Sequence, residues 1–221
     1  MKKQGIGIAV VLFLAAWSPG NPSTEATLSI LAQSNIYGAG LPSGSSMPSP
    51  SGGGGGVAPV ALPIRPGENR VVTVSKVSGK LSFSDSRSTN GPDGNQFSYR
   101  IAAHRGISGF DTPWSGCLVG VFLEKEGPGA SAPSPIDFQT RGVDFRSLAP
   151  EPGQVFYVGD GVTKDGYQQQ FQVPPTAGVL YFGFADSYYA GAGPGFYGDN
   201  SGKVEITVKI TSTKLDFPKV P

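Results

Sequence analysis

The most regular hydrophobic pattern lies near the C-terminal end, where Val204, Ile206, Val208 and Ile210 alternate with Lys203, Glu205, Thr207 and Lys209. Successive side chains of a strand point to opposite faces, so the alternation predicts a half-buried strand over 203–211. Cys117–Leu123 is almost continuously apolar, as a strand covered on both faces should be. Arg70–Val77, Lys80–Phe83, Gln154–Val158, Tyr167–Val173 and Gly178–Ala185 read as further strands. Val57–Ile64 is extended and marked by prolines, which suits a sheet edge. Pro66-Gly67, Ser78-Gly79 and Gly91-Pro92-Asp93-Gly94 supply turns between them. Roughly seven or eight short strands separated by such turns predict an all-β fold, a jelly-roll-like β-sandwich. The long intervals 95–116 and 126–153 are candidates to carry function.

The N-terminal part follows a different pattern. Lys2 and Lys3 precede an apolar run, Ile6–Trp17, and then Ser18-Pro19-Gly20, the layout of a signal peptide over 1–20. That run is short for a membrane span, so no span is expected after cleavage and the protein is expected to be secreted, periplasmic or on the cell surface. Residues 21–56 are poor in charge and culminate in a Ser/Pro/Gly tract ending in five glycines. They are expected to be a disordered linker, with at most a transient helix over 24–37. The β-sandwich domain is then expected over 57–212, with a tail over 213–221. The chain has 33 glycines and 20 prolines, a bias away from helix. Seventeen Lys and Arg against sixteen Asp and Glu give a net charge of +1 without a basic block, so nucleic acid is not an expected partner. Cys117 is the only cysteine, which excludes an intrachain disulfide.

Candidate chemistry concentrates between 185 and 202. An apolar strand ends at Asp186, a Gly-rich loop covers Ser187–Gly198, and Asp199-Asn200-Ser201-Gly202 leads into the alternating strand. If those two strands lie side by side, Asp186 meets Asp199 and Asn200 at one end of a sheet. Ca²⁺ takes about 6–8 oxygen ligands, and carboxylates, amides and backbone carbonyls suit it. The same residues are also ordinary turn formers, and on composition alone a plain turn over 199–202 is the favoured reading. Tyr188, Tyr189, Phe196 and Tyr197 lie in the same loop, and Phe110 and Trp114 in an earlier one. Flat rings of this kind stack on sugar faces, although Tyr197 is expected to serve packing. His104 is the only histidine, which leaves zinc chemistry without partners. No Gly-x-Ser-x-Gly turn supports hydrolysis. Asp160-Gly161 and Asp165-Gly166 read as a hairpin turn.

The order of these motifs resembles the calcium-dependent galactophilic lectins of the LecA (PA-IL) type over roughly residues 57–211. Arg65-Pro66-Gly67-Glu68 with the strand after it, Gly91-Pro92-Asp93-Gly94 and Ser115-Gly116-Cys117 are similar to the family's turns. The specific match is Asp186 with Tyr197-Gly198-Asp199-Asn200-Ser201-Gly202. The resemblance implies a bound Ca²⁺ with Asp186, Asp199 and Asn200 as side-chain ligands and backbone carbonyls from Phe196 and near Phe83. It further implies that Asp186, Asp199 and Asn200 hold a sugar through the ion; Tyr188 and Tyr189 are stacking candidates on the loop's aromatic content alone. The chain departs from the family in four respects, the first being a loop between Asp186 and Gly198 about five residues longer. Asp199 stands where the family has Asn, Lys80 where it has Trp, and the family's sugar-contacting His, whose position falls near Ser98, has no counterpart. Galactose specificity is therefore not implied. The expected function is non-catalytic, calcium-dependent binding of a glycan or cell-surface polysaccharide. An adhesion module whose calcium only locks loops is the alternative, and a glycan-acting hydrolase is a third.

Overall fold

A computed structural model describes residues 23–83, 90–95, 97–124 and 127–212. The expected signal peptide and tail lie outside the described residues. The strands form two sheets that close over one hydrophobic core, so the expected β-sandwich is the fold. One sheet has five strands in the order β1 (Ser23–Leu31), β11 (Ser201–Ser212), β3 (Arg70–Ser82), β9 (Gln170–Gln172) and β7 (Ser147–Leu148). The other has four, in the order β2 (Val60–Pro63), β10 (Ala177–Phe184), β6 (Leu118–Glu124) and β8 (Val155–Tyr157). A separate hairpin, β4 (Tyr99–Ile101) with β5 (Phe110–Thr112), and one short helix, α1 (Phe138–Arg141), fill the first long interval and part of the second.

Local sequence accounts for these positions. Val204, Ile206, Val208 and Ile210 of β11 are buried, while Lys203, Glu205 and Lys209 face out. β6 lies between β10 and β8 and is buried from Leu118 to Leu123, as its unbroken apolar run requires. Proline-marked β2 is an edge strand. The sheets meet through rings such as Phe156 of β8 and Phe171 of β9, 5.1 Å apart. The two strands expected at 70–77 and 80–83 are one strand, β3. Its pairing with β11 shifts register opposite Glu205–Thr207, where Lys76 takes φ 50°. This is a bulge, which absorbs an extra residue without ending the strand.

The disordered linker expected over 21–56 is a correction. From Ser23 the chain is β1, paired with β11 along all nine residues. Ala26, Leu28 and Ile30 point into the core. Beyond it, Asn35 is fully buried; its side chain accepts from the Tyr37 amide and donates to the carbonyls of Pro48 and Gly55. The glycine run then lies along the 196–198 segment. The amides of Phe196, Gly198 and Tyr197 donate to the carbonyls of Gly52, Gly53 and Gly54. A Cβ on Gly55 would sit 2.2 Å from the Met47 carbonyl oxygen, and one on Gly56 2.2 Å from that of Gln33. Glycine serves here for close backbone approach, and residues 23–56 are part of the domain expected to start at 57.

Candidate functional site

β10 and β11 belong to different sheets, so the side-by-side pairing that would join Asp186 to Asp199 and Asn200 does not occur. The residues meet all the same, because the 187–200 loop crosses from one sheet to the other at one end of the sandwich. Asn200 Nδ2 donates to Asp186 Oδ2 at 2.8 Å and to the Ala32 carbonyl at 3.4 Å. The Ser187 amide donates to Asp186 Oδ1 at 2.8 Å. Tyr197 is fully buried, as its packing role requires; its hydroxyl accepts from the Asp186 amide and donates to the Phe184 carbonyl. This hydroxyl fixes the exit of β10 from which the carboxylate projects.

Burial pushes the Asp186 carboxyl up to about 7; the hydrogen bonds from Asn200 and Ser187 oppose that rise, and the neighbouring Asp199 carboxylate adds to it. Asp199 Oδ1 and Asn200 Oδ1 are buried and have no hydrogen-bond partner among the described residues. Such oxygens are costly to bury unpaired. The donor set, two carboxylates and an amide, fits a hard cation. Among the described residues no group of three or more His, Cys, Asp or Glu side chains converges. The Ser82–Ser201 pairing places Phe83 next to Asn200 along the β3–β11 ladder, and its ring packs on Phe184 at 5.2 Å. Phe196 adopts the left-handed conformation, φ 64°, against the glycine strap. The turn lies earlier than the 199–202 expected, since Tyr197–Asp199 form a 3₁₀ turn and Ser201-Gly202 already belong to β11. Turn and cluster coexist.

The aromatic residues divide into two groups. Phe110 is buried edge-on against Phe138, and Trp114 packs on the core. Tyr188 and Tyr189 are 65% and 62% exposed, and Tyr188 stacks on Phe196 at 4.7 Å. Phe196 is thus a platform for an exposed tyrosine pair. His104 closes a tight turn with Ile107, and Cys117 is buried, its thiol pushed up by that burial.

Beside the loop lies a cleft of about 310 Å³ that sequence reasoning did not find. Arg100, Asp111 and Gln139 form one wall, and Ala190-Gly191 of the loop the other. The Tyr99 hydroxyl donates to the Ser187 carbonyl, and the Gly191 amide to the Arg100 carbonyl. β4 is only three residues long, too short to show a periodic signal, and the cleft depends on α1 meeting it from far along the chain. No protein family, characterised protein or solved structure matches this chain.

Proposed function

We propose that this chain is a non-catalytic carbohydrate-binding β-sandwich whose loop end is held by Ca²⁺. The observation that carries the reading is the meeting of Asp186, Asp199 and Asn200, with two buried, unpartnered oxygens, in the loop that also carries an exposed tyrosine pair. The ion would be held by these three side chains, with backbone carbonyls of Phe196 and Phe83 as the remaining protein ligands. Bound there, it supplies charge that offsets two carboxylates. The chain's own residues do the rest. Tyr197 and Ser187 orient Asp186, the glycine strap holds Phe196–Gly198, and Phe196 supports Tyr188 for stacking on a sugar face. The partner is a glycan or cell-surface polysaccharide, and the signal-like segment 1–20 supports export.

One observation favours the second reading, an adhesion module with a purely structural ion: the free oxygens of Asp199 and Asn200 are themselves buried, which leaves the ion little exposure to a sugar. A glycan array run with Ca²⁺ and again with EGTA, beside thermal melts in both buffers, separates them. Glycan capture lost with EGTA is the expected result. A calcium-dependent melt with no glycan captured would establish the structural reading instead, and no calcium effect in either assay would remove the ion.

A further inference from the structure

We infer that the sugar contacts the cleft between Arg100, Asp111, Gln139 and the Ala190-Gly191 loop, away from the ion, and that it is a neutral pyranose. The inference rests on the carbohydrate-binding reading above and names its site and ligand class.

Three features converge on it. The first is the pairing of donors and acceptors. A sugar hydroxyl both donates and accepts, so a site for it combines fixed groups of each kind. Arg100 Nε donates to Asp111 Oδ2 at 2.7 Å, and a terminal guanidinium nitrogen lies at 2.7 Å from the same oxygen. Asp111 is nearly buried, at 15% side-chain exposure, while Arg100 is 68% exposed. The carboxylate therefore orients a guanidinium that carries five N–H donors and uses one edge for the pair. Gln139 Nε2 donates to Ser98 Oγ at 2.5 Å and to the Thr112 carbonyl at 2.7 Å. Those two bonds occupy both amide hydrogens, so the group's remaining capacity is its acceptor oxygen.

The second feature is the setting. The cleft is at the small end of ligand sites, which run from about 300 to 1,000 Å³, a size for a ring and not for a large apolar ligand. Large exposed rings stand on both sides in sequence: Phe97, 63% exposed, precedes Ser98, and Tyr188 and Tyr189 precede Ala190. The third is charge. Arg100 pairs with Asp111, and a backbone bridge sets Asp137 beside Asp111, so two acidic groups oppose one cation. A uronate or sulfated sugar would bring a further negative charge there. A neutral ring avoids it.

The arrangement also links cleft and cluster. Ser187 donates its amide to Asp186 and accepts from Tyr99 through its carbonyl, and Gly191 bonds the carbonyl of Arg100. Order at Asp186 thus reaches the cleft wall through the loop backbone, and calcium dependence of sugar binding needs no hydroxyl on the ion.

The test is titration of the calcium-loaded protein with methyl galactoside, methyl glucoside, methyl mannoside and galacturonate, followed by amide NMR shifts. Wild type should bind a neutral glycoside, with shifts at 97–100, 111, 139 and 188–191. Arg100→Ala and Gln139→Ala should each bind at least tenfold more weakly while their calcium-induced melting shift equals that of wild type. Sugar affinity within twofold of wild type in both variants would overturn the cleft and leave the carbohydrate reading standing. Tighter binding of galacturonate than of methyl galactoside would overturn the neutral-ligand assignment. A calcium-loaded wild type that binds none of the four would overturn the carbohydrate reading itself.

Discussion

The N-terminal strand offers the sharpest test of the architecture. Ile30 is fully buried and Leu28 is 3% exposed, both on the core face of β1, whereas Leu31 is 45% exposed on the other face. Truncating a buried Leu or Ile to Ala costs about 2–5 kcal/mol, because a cavity adds to the lost transfer energy. Ile30→Ala and Leu28→Ala should each fall in that range. Leu31→Ala should stay within about 0.5 kcal/mol of wild type, as exposed substitutions do. Deleting residues 1–31 is more severe. It removes the burial of both side chains, roughly 1.5–3 kcal/mol each, and strips β11 of a nine-residue partner, which bares its edge. Net stabilities of domains are only about 5–15 kcal/mol, so the truncated chain should not hold its fold. Urea unfolding followed by far-ultraviolet circular dichroism reads both effects, the first as a lower midpoint at unchanged slope. If the chain from residue 32 onward unfolded at the same urea concentration as the full chain, the integration of β1 would be refuted.

Three further outcomes are expected. Gly56→Ala, which forces a side chain into φ 72° and onto the Gln33 carbonyl, should lower the melting temperature far more than Gly44→Ala, which has the same hand of backbone and open space; differential scanning calorimetry compares them. In EGTA the protein should melt lower at pH 8 than at pH 5. The folded Asp186 carboxyl, at about 7, holds its proton more tightly than the ordinary 3.8, so its contribution is full below 3.8 and is lost as pH rises through 7. Between pH 5 and pH 8 the loss is up to roughly 2.7 kcal/mol, and Asp186→Asn should flatten it. Tyr189→Ala should weaken glycan capture on an array while leaving the urea midpoint within about 0.5 kcal/mol of wild type, because its ring is exposed.

The strands that carry the core were legible wherever polar and apolar residues alternate strictly, as in β11, or run together, as in β6. β1 was not, because Leu31 sits beside Ile30 and Leu28, and this spacing imitates a helix face although only Ala26, Leu28 and Ile30 are inward. The glycine tract was misread for a different reason. Composition reports how freely a segment can move when alone, and the close approach of Gly55 and Gly56 to Met47 and Gln33 is a tertiary fact. That Asp186 and Asn200 come together, and that Tyr197 packs the loop, was readable from one stretch of chain. Their sheet assignment was not, since β10 and β11 could be neighbours or opposites with the same sequence. The cleft was out of reach because Arg100, Asp111 and Gln139 come from three short elements whose docking no local pattern encodes.

The pairing of β1 with β11 also fixes how the molecule would be displayed. Ser23 lies opposite Thr211 at one end of the ladder and Leu31 opposite Lys203 at the other, next to Asn200. The twelve residues of β11, at about 3.3 Å each, separate the two ends by roughly 40 Å. Ser23 and Ser212 therefore lie side by side, far from the 187–200 loop. Attachment through either of them aims that loop the same way, outward. On the carbohydrate-binding reading, copies fixed on a common surface would hold their loops in one plane, where a repeating polymer would bridge several at once and weak individual contacts would multiply into avidity.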